Sequence, residues 1–381
     1  MDKKTYKLKD FAEPIAVAVT DPQKSCHNIF VGLEHYDSGE PVISRFSDTS
    51  LLNSSCKEFQ KNDILIARRN VYLRRAGIAP FDGLTSGDSI VLRLFEDCEE
   101  RTGISYDVAI KIIPFVLNSN SFWLYANRHA DGMNSKRISK DKVLDYEFDL
   151  PPLAEQKVLV EKLWAAYEVK QSYFKMIAAT EEMVKSQFIE MFGDTQTLYK
   201  IGDLFQTCSG GTPNRKKSEY FMNGKIPWVT SGEINKVYIG STDSFITELG
   251  LENSSAKWVP ENSVLIAMYG GGTVGKVGLL KIPATTNQAI CALLPNEEYN
   301  SLFAFYMMKM KEEWMASQAR GAAQENISQN FIKSIMVPKP SMMLQDKFVE
   351  FAKQADKSIS ELRKSIDAID KVIKSLINEN L

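Results

Sequence analysis

Histidine, paired cysteine and charge of one sign are what this chain lacks. Only three histidines (His27, His35, His129) occur in 381 residues, so metal-ligand and histidine-based catalytic constellations are scarce. The five cysteines (Cys26, Cys56, Cys98, Cys208, Cys291) are scattered, odd in number and never in a C-x-x-C pair, which argues against a disulfide framework and a zinc site. No run approaches the roughly 20 apolar residues of a membrane span. The opening MDKKTYKLKD has no apolar core of the signal-peptide kind, so a cytoplasmic protein with no membrane partner is expected. Lys+Arg 46 against Asp+Glu 48 leaves a formal charge of −2, so no global positive field announces a nucleic-acid partner. Local basic patches, or a partner that supplies phosphate contacts, stay open. Catalytic signatures are missing as well: no Asn/Asp-Pro-Pro-aromatic motif for amino-methyl transfer, no G-x-S-x-G and no H-E-x-x-H. Glu233 and Asp243 have no recognisable partner spacing, and His27 and His35 read as polar loop residues flanking a strand. The chain reads as a binder without metal or cofactor of its own.

What is present is a duplication. KNDILIA (61–67) returns as ENSVLIA (261–267), 200 positions on. TSGDSIVL (85–92) answers TNQAICAL (286–293), at a spacing of 201. GMNSKRIS (132–139) answers GAAQENIS (321–328), and LPPLAEQK (150–157) answers VPKPSMMLQDK (337–347) with Gln156 opposite Gln345, both at 189. Four correspondences in one order define a repeated unit.

Each copy begins with short strands broken by Pro, Gly, Asn and Asp, with apolar helices such as 302–318 between them, an α+β pattern. Each then turns helical. After Pro151-Pro152, apolar residues fall at Val160, Leu163, Tyr167, Phe174, Ile177, Val184, Phe188 and Met191, a four-three spacing broken at Lys170 and Glu181. After Pro340 the stripe runs Phe348, Ala352, Ala355, Ile359, Leu362, Ile366, Ile369, Ile373, Leu376. Narrow seams of this length predict that the two helices pair as an antiparallel coiled coil; packing of each on its own domain is the alternative. The plan is a first domain over 1–150, a spacer helix over 151–193, a second domain over 194–340 and a second spacer helix over 341–381. A helix over 154–192 would be about 58 Å long, enough to separate two surfaces by more than one DNA turn of about 34–36 Å.

GGGTVGK (270–276) nearly matches the phosphate-cradling G-x-x-x-x-G-K-[ST], but Val277 replaces the magnesium-binding hydroxyl and VGLLKIPATT reads as a strand. A glycine hairpin that lays Tyr269, Thr273 and Lys276 against DNA is the better reading. Its counterpart is RRNVYLRRAG (68–77). Arg68, Arg69, Asn70, Tyr72, Arg74 and Arg75 suit guanine, adenine and phosphate, or else decorate a solvated hairpin. Arg215, Lys216 and Lys217 form a phosphate clamp or a solvated turn. Lys136 and Arg137 in one copy, and Arg320, Gln324 and Asn326 in the other, precede the matching Ile-Ser dipeptides and suit base edges or phosphates.

These stretches together resemble the specificity subunit of type I restriction–modification systems. The resemblance rests on LPPLAEQKVLVEKL (150–163), SGGTPNRKKSEYFMNGKIPWVTSGEI (209–234), NSVLIAMYGGGTVGKVGLL (262–280), TTNQAICALLP (285–295) and GAAQENISQNFIKSIMVPKP (321–340). In the first copy NIFVGLEHYDSGE (28–40), NDILIARR and NSKRISKDKVLDYEFDLPPLAEQ carry it. Copy one lacks the G-x-T-P entry and the glycine hairpin, and VPKPSMMLQ is a loose form of LPPLAEQ. The resemblance implies two tandem target-recognition domains, each reading one half of a bipartite asymmetric DNA site. It implies spacer helices that set the gap and dock two methyltransferase subunits, which bind S-adenosylmethionine. It implies restriction subunits that use ATP and Mg, and no catalysis by this chain. The competing readings are a P-loop-like ATPase built on GGGTVGK and a non-DNA coiled-coil adaptor with two ligand modules.

Overall fold

Asn62 and Asn262 both take left-handed backbone, with φ of 74° and 67°, and each turns the chain into a strand of the same design. The Asn62 N–H donates to Ala79 O and the Asn262 N–H to Leu280 O, both at 2.8 Å. The computed structural model describes residues 3–133, 135–194, 197–234, 237–270, 272–320 and 326–381, without the side chains of Leu51 and Arg320. The chain divides into two units: unit 1 is Met1–Lys175 with Arg363–Leu381, and unit 2 is Met176–Leu362.

In unit 1 the strand Ile64–Ala67 lies between Ser89–Leu94 and Ala76–Ile78, antiparallel to both, with Ala12–Ile15 beyond Ser89–Leu94. In unit 2 Val264–Ala267 lies between Ile290–Leu293 and Val277–Leu280, flanked by Thr207–Ser209 and Tyr238–Ile239. Successive residues of a strand face opposite sides, so an unbroken apolar run needs cover on both. Ile64 and Ile66 enter a core shared with helices, whereas Leu65 and Ala67 enter a smaller one. Val264 and Ile266, against Leu265 and Ala267, do the same in unit 2.

A second sheet repeats too. Gly83–Thr85 runs parallel to Ile29–Val31, with Val31 opposite Thr85, and Ala284–Thr286 runs parallel to Ile226–Val229, with Val229 opposite Thr286. Each domain is closed by a short antiparallel pair, Lys4–Lys7 with Glu147–Leu150 and Leu198–Lys200 with Met336–Pro338. The long helices Leu153–Phe192 and Met342–Asn380 leave from these pairs. Buried Gln156 and Gln345 lock the exits, donating to Pro151 O at 2.9 Å and Pro340 O at 3.0 Å.

The copies differ inside the shared turn. Asp63, 1% exposed, accepts both Nε and Nη2 of Arg93 at 2.8 and 2.7 Å and the Gln60 N–H at 2.8 Å. Its counterpart Ser263 donates to Pro260 O at 2.7 Å. Asp63→Ala removes a buried anion from its guanidinium and frees a backbone donor, so unit 1 should lose about 2–3 kcal/mol. Urea unfolding followed in unit 1 measures this, and a loss below about 0.5 kcal/mol, the ordinary range for surface changes, would contradict it.

The N-terminal half of the first long helix shares unit 1 with the C-terminal end of the second, and its C-terminal half shares unit 2 with the start of the second, so the two run antiparallel. Val160, Leu163, Tyr167, Ile177, Val184 and Ile366 are buried, and Ile359, Leu362 and Ile369 are partly buried. Both predicted modes of packing occur. Val160, Leu163 and Ile377 also enter the unit 1 core, and Val184, Phe188, Phe348 and Ala352 enter the unit 2 core. Two seam expectations need correction. Lys170 is no break: it is buried, and its ammonium pairs with Asp370 of the second helix at 2.7 Å and with Glu40. Its four-carbon stem fills an apolar position while the charge is answered at the tip. Phe174 remains 46% exposed, because a seam between two helices covers only one side of so large a ring.

Candidate nucleic-acid interface

The loop joining Ile64–Ala67 to Ala76–Ile78 carries most of the first copy's candidates. Val71, buried, pins its middle through the short 3-10 turn Val71–Leu73, with Asn70 and Arg74 at φ 55° and 52° on either side. Tyr72 then projects to 62% exposure. The loop carrying Lys136 and Arg137 lies alongside. The Asn70 N–H donates to Lys136 O at 2.8 Å, the Ile138 N–H donates to Arg68 O at 3.0 Å, and Arg69 and Arg137 form a bridge. Arg69 Nε donates to Ser135 Oγ at 2.7 Å, and Ser135 Oγ donates to Asn70 Oδ1 at 3.2 Å. Asp88 stands between the two arginines, 3.2 Å from Arg137 and 3.7 Å from Arg69. Thus Arg69, Asn70, Lys136 and Arg137, far apart in sequence, share one surface.

Arg75 and Arg68 do not share its freedom. Arg75 donates to Leu33 O at 2.7 Å and Arg69 O at 3.1 Å, and burial lowers its pKa. With its forks on backbone carbonyls it staples the hairpin. Arg68 is half-buried, its Nε has no hydrogen-bond partner, and its charge adds to burial in lowering the pKa of Lys57. Arg74 donates to Asn120 Oδ1 at 2.7 Å and stays exposed.

In unit 2 the turn between Val264–Ala267 and Val277–Leu280 is glycine-rich because its backbone demands it. Gly270, Gly272 and Gly275 have φ of 135°, 80° and 82°, and a Cβ on Gly275 would meet Glu312 O at 2.9 Å. The chain returns as an antiparallel strand, so the phosphate-binding helix N-terminus of a P-loop is not built here. Lys276 lies 3.6 Å from Glu312, which also accepts the Val277 N–H at 2.7 Å and pairs with Lys309 at 2.9 Å. Thr273 closes the turn with its N–H on Gly270 O at 3.1 Å.

Tyr269 bridges Asn326, and the Ile327 N–H donates to Met268 O at 2.8 Å, repeating the Arg69–Arg137 and Ile138–Arg68 arrangement of unit 1. Burial raises the Tyr269 pKa, opposed by its hydrogen bond with Gln288, whose Oε1 accepts from Thr212. The Ile-Ser repeat is a capping device: Ser139 Oγ accepts the Lys142 N–H at 3.3 Å and Ser328 Oγ the Phe331 N–H at 3.1 Å. Arg320 ends the helix Glu312–Arg320, its side chain lies outside the description, and Gln324 lies outside the described residues. In the predicted clamp, Lys216 is exposed, Arg215 lies 5.9 Å over the Trp228 ring, and Lys217 bonds the Tyr220 hydroxyl at 3.0 Å. Sequence reasoning missed Asp88 and Gln288, which orient the loops from the turn after the second-sheet strand. The signal was present, since that turn belongs to the repeat and differs between copies.

The geometry defines a duplicated α+β protein whose two domains present unlike loops on one scaffold. The sequence profile described as "Type I restriction modification DNA specificity domain" matches residues 194–371. The chain is 29% identical over 161 residues to the EcoR124I/EcoR124II specificity subunit of Escherichia coli, covering 41% of this chain and 40% of that one. It is 26% identical over 178 residues to the MjaIX specificity subunit of Methanocaldococcus jannaschii, covering 45% and 40%. The aligned region spans about 40% of the length of each of these curated relatives. The fold matches the type I S subunit from M. genitalium with a TM-score of 0.52 at 14% identity, over 99% of this chain and 95% of that one. A chain from a study of type I R-M complex assembly and conformational transition matches with 0.56 at 16%, over 99% and 97%. Residues 194–371 thus match the DNA specificity domain of type I restriction–modification systems, and the curated relatives aligned with the chain are specificity subunits of such systems. No helix among the described residues is long and apolar enough to cross a membrane.

Proposed function

We propose that this chain is a non-catalytic DNA-recognition subunit, each unit reading one half of a bipartite asymmetric duplex target. The observation that carries this is the paired bridge: the same backbone link presents Arg69 and Arg137 in unit 1 but Tyr269 and Asn326 in unit 2. A common frame with different side chains at equivalent positions is what reading two different half-sites requires. The long helices dock two methyltransferase subunits carrying S-adenosylmethionine, and restriction subunits using ATP and Mg complete the complex. A formal charge of −2 fits a subunit whose partners share the phosphate contacts.

Exchanging residues 1–150 for the matching segment of another specificity subunit tests this in the complex with methyltransferase subunits. The map of methylated sites should change in one half of the target only. Alteration of both halves, or of neither, would sink the two-headed reading. ATP binding that depends on Lys276 would favour the ATPase, and no gain in specific duplex binding on adding the methyltransferase would favour the adaptor.

A further inference from the structure

We infer that Asp88 is a positioning residue that aligns Arg69 and Arg137 as a paired reader of guanine, an inference that rests on the DNA-recognition reading above. One carboxylate, 24% exposed, faces two guanidinium groups that are 44% and 47% exposed. It answers one of the two positive charges and leaves one over. Each guanidinium has five N–H donors, and only part of each is engaged by Asp88 and Ser135. The remaining edges stay open to solvent beside each other, because the backbone bridge fixes the two residues side by side.

Two rigid forks of donors match a base edge that offers two acceptors. In the major groove that edge is the N7 and O6 of guanine; adenine and thymine each offer one acceptor. Without the carboxylate, two like charges on adjoining loops would repel and splay apart. Asp88 also places a negative charge beside the site, which opposes indiscriminate attraction to phosphate. In unit 2 the Met268 N–H donates to Ala289 O as the Arg68 N–H does to Asp88 O, so Ala289 occupies the Asp88 position, and Tyr269 and Asn326 stand where Arg69 and Arg137 do. The paired reader therefore belongs to one half-site.

The test is selection of bound duplexes from a randomised pool by the full chain with its methyltransferase subunits, comparing wild type, Asp88→Asn, Asp88→Glu and Arg137→Gln. Asp88→Asn should lower preference for guanine at one or two positions of the unit 1 half-site by on the order of tenfold. It should at the same time raise affinity for unrelated duplex and steepen its salt dependence. Asp88→Glu should restore part of the preference, and Arg137→Gln should lose the same guanine without the gain in unrelated binding. Preferences in the other half-site should not move. An unchanged guanine preference in Asp88→Asn overturns the inference. So does a parallel fall of specific and unrelated binding, which marks a merely structural role. If Asp88→Asn fails to fold, Arg137→Gln decides alone by keeping or losing guanine. Absence of any selected half-site with the wild-type complex defeats the recognition reading, and this inference with it.

Discussion

Phe348→Ala should destabilise unit 2 by about 3–5 kcal/mol, the largest effect expected of any single truncation here. Phe348 is fully buried near the start of the second long helix, and its ring meets four others. Phe188 lies at 5.3 Å and Phe192 at 5.9 Å, both from the first long helix. Phe303 lies at 6.0 Å and Tyr306 at 5.6 Å, both from the domain helix Ser301–Lys309. All four contacts are edge-on, the arrangement that ring quadrupoles favour. Truncation removes the transfer free energy of the ring and leaves a cavity that three separate helices would have to move to fill. Hydrogen exchange resolved by unit is the appropriate measurement, because a chain of two units need not unfold in one step. Amides of unit 2 should lose protection while those of unit 1 keep theirs. A loss under about 1 kcal/mol would mean that Phe348 is not the shared anchor of the three helices.

Lys170→Met should cost unit 1 about 3 kcal/mol, although it puts an apolar residue into an apolar stripe. The ammonium answers two carboxylates, Glu40 from the domain and Asp370 from the second long helix, and the other oxygen of Glu40 is already buried without a partner. Removing the cation leaves both acids facing each other. Replacing all three charged residues by apolar ones of similar size should recover most of the loss, because desolvation of the ions is then removed as well. Burial by itself would lower the Lys170 pKa, but its hydrogen bonds to Asp370 and Glu40 outweigh this and raise it above 10.5. The raised value means that the triad's contribution is complete below the ordinary lysine pKa and is lost as pH climbs through the folded one. Tyr167 works in the same direction, pushed up to about 12 first by burial and then by Glu40. Unit 1 should therefore weaken above about pH 10, and Lys170→Met should flatten that alkaline slope in a urea titration. A slope equal to wild type would show that Lys170 is not the titrating group.

How much of this was legible beforehand depends on the range of the interaction. The duplicated strands, the glycine hairpin and the two long helices are written in local patterns: runs of four apolar residues, left-handed turn residues and a seven-residue period. The hairpin was separable from a phosphate loop because Val277 and the residues after it read as strand. Lys170 was misread as an interruption because a polar residue in an apolar stripe looks like one until its partners are known. One partner, Glu40, lies 130 positions away. The part Arg75 plays in stapling the hairpin is hidden in the sequence for a related reason. Its neighbours Arg69 and Arg74 stay exposed, and only the fold brings Leu33 O under its guanidinium. Asp88 was passed over as part of a shared turn, since nothing nearby marks it as facing two arginines.

The sequence by itself determined the duplication, the α+β frame of each copy and the two long helices, because hydrophobic period and turn chemistry act over a few residues and repeat. The tertiary structure decided which charges are free and which are engaged. Asp63 takes up Arg93, Glu312 holds Lys276, and Asp88 gathers Arg69 and Arg137. A charge pair depends on distance in space, and separation along the chain does not reveal that distance.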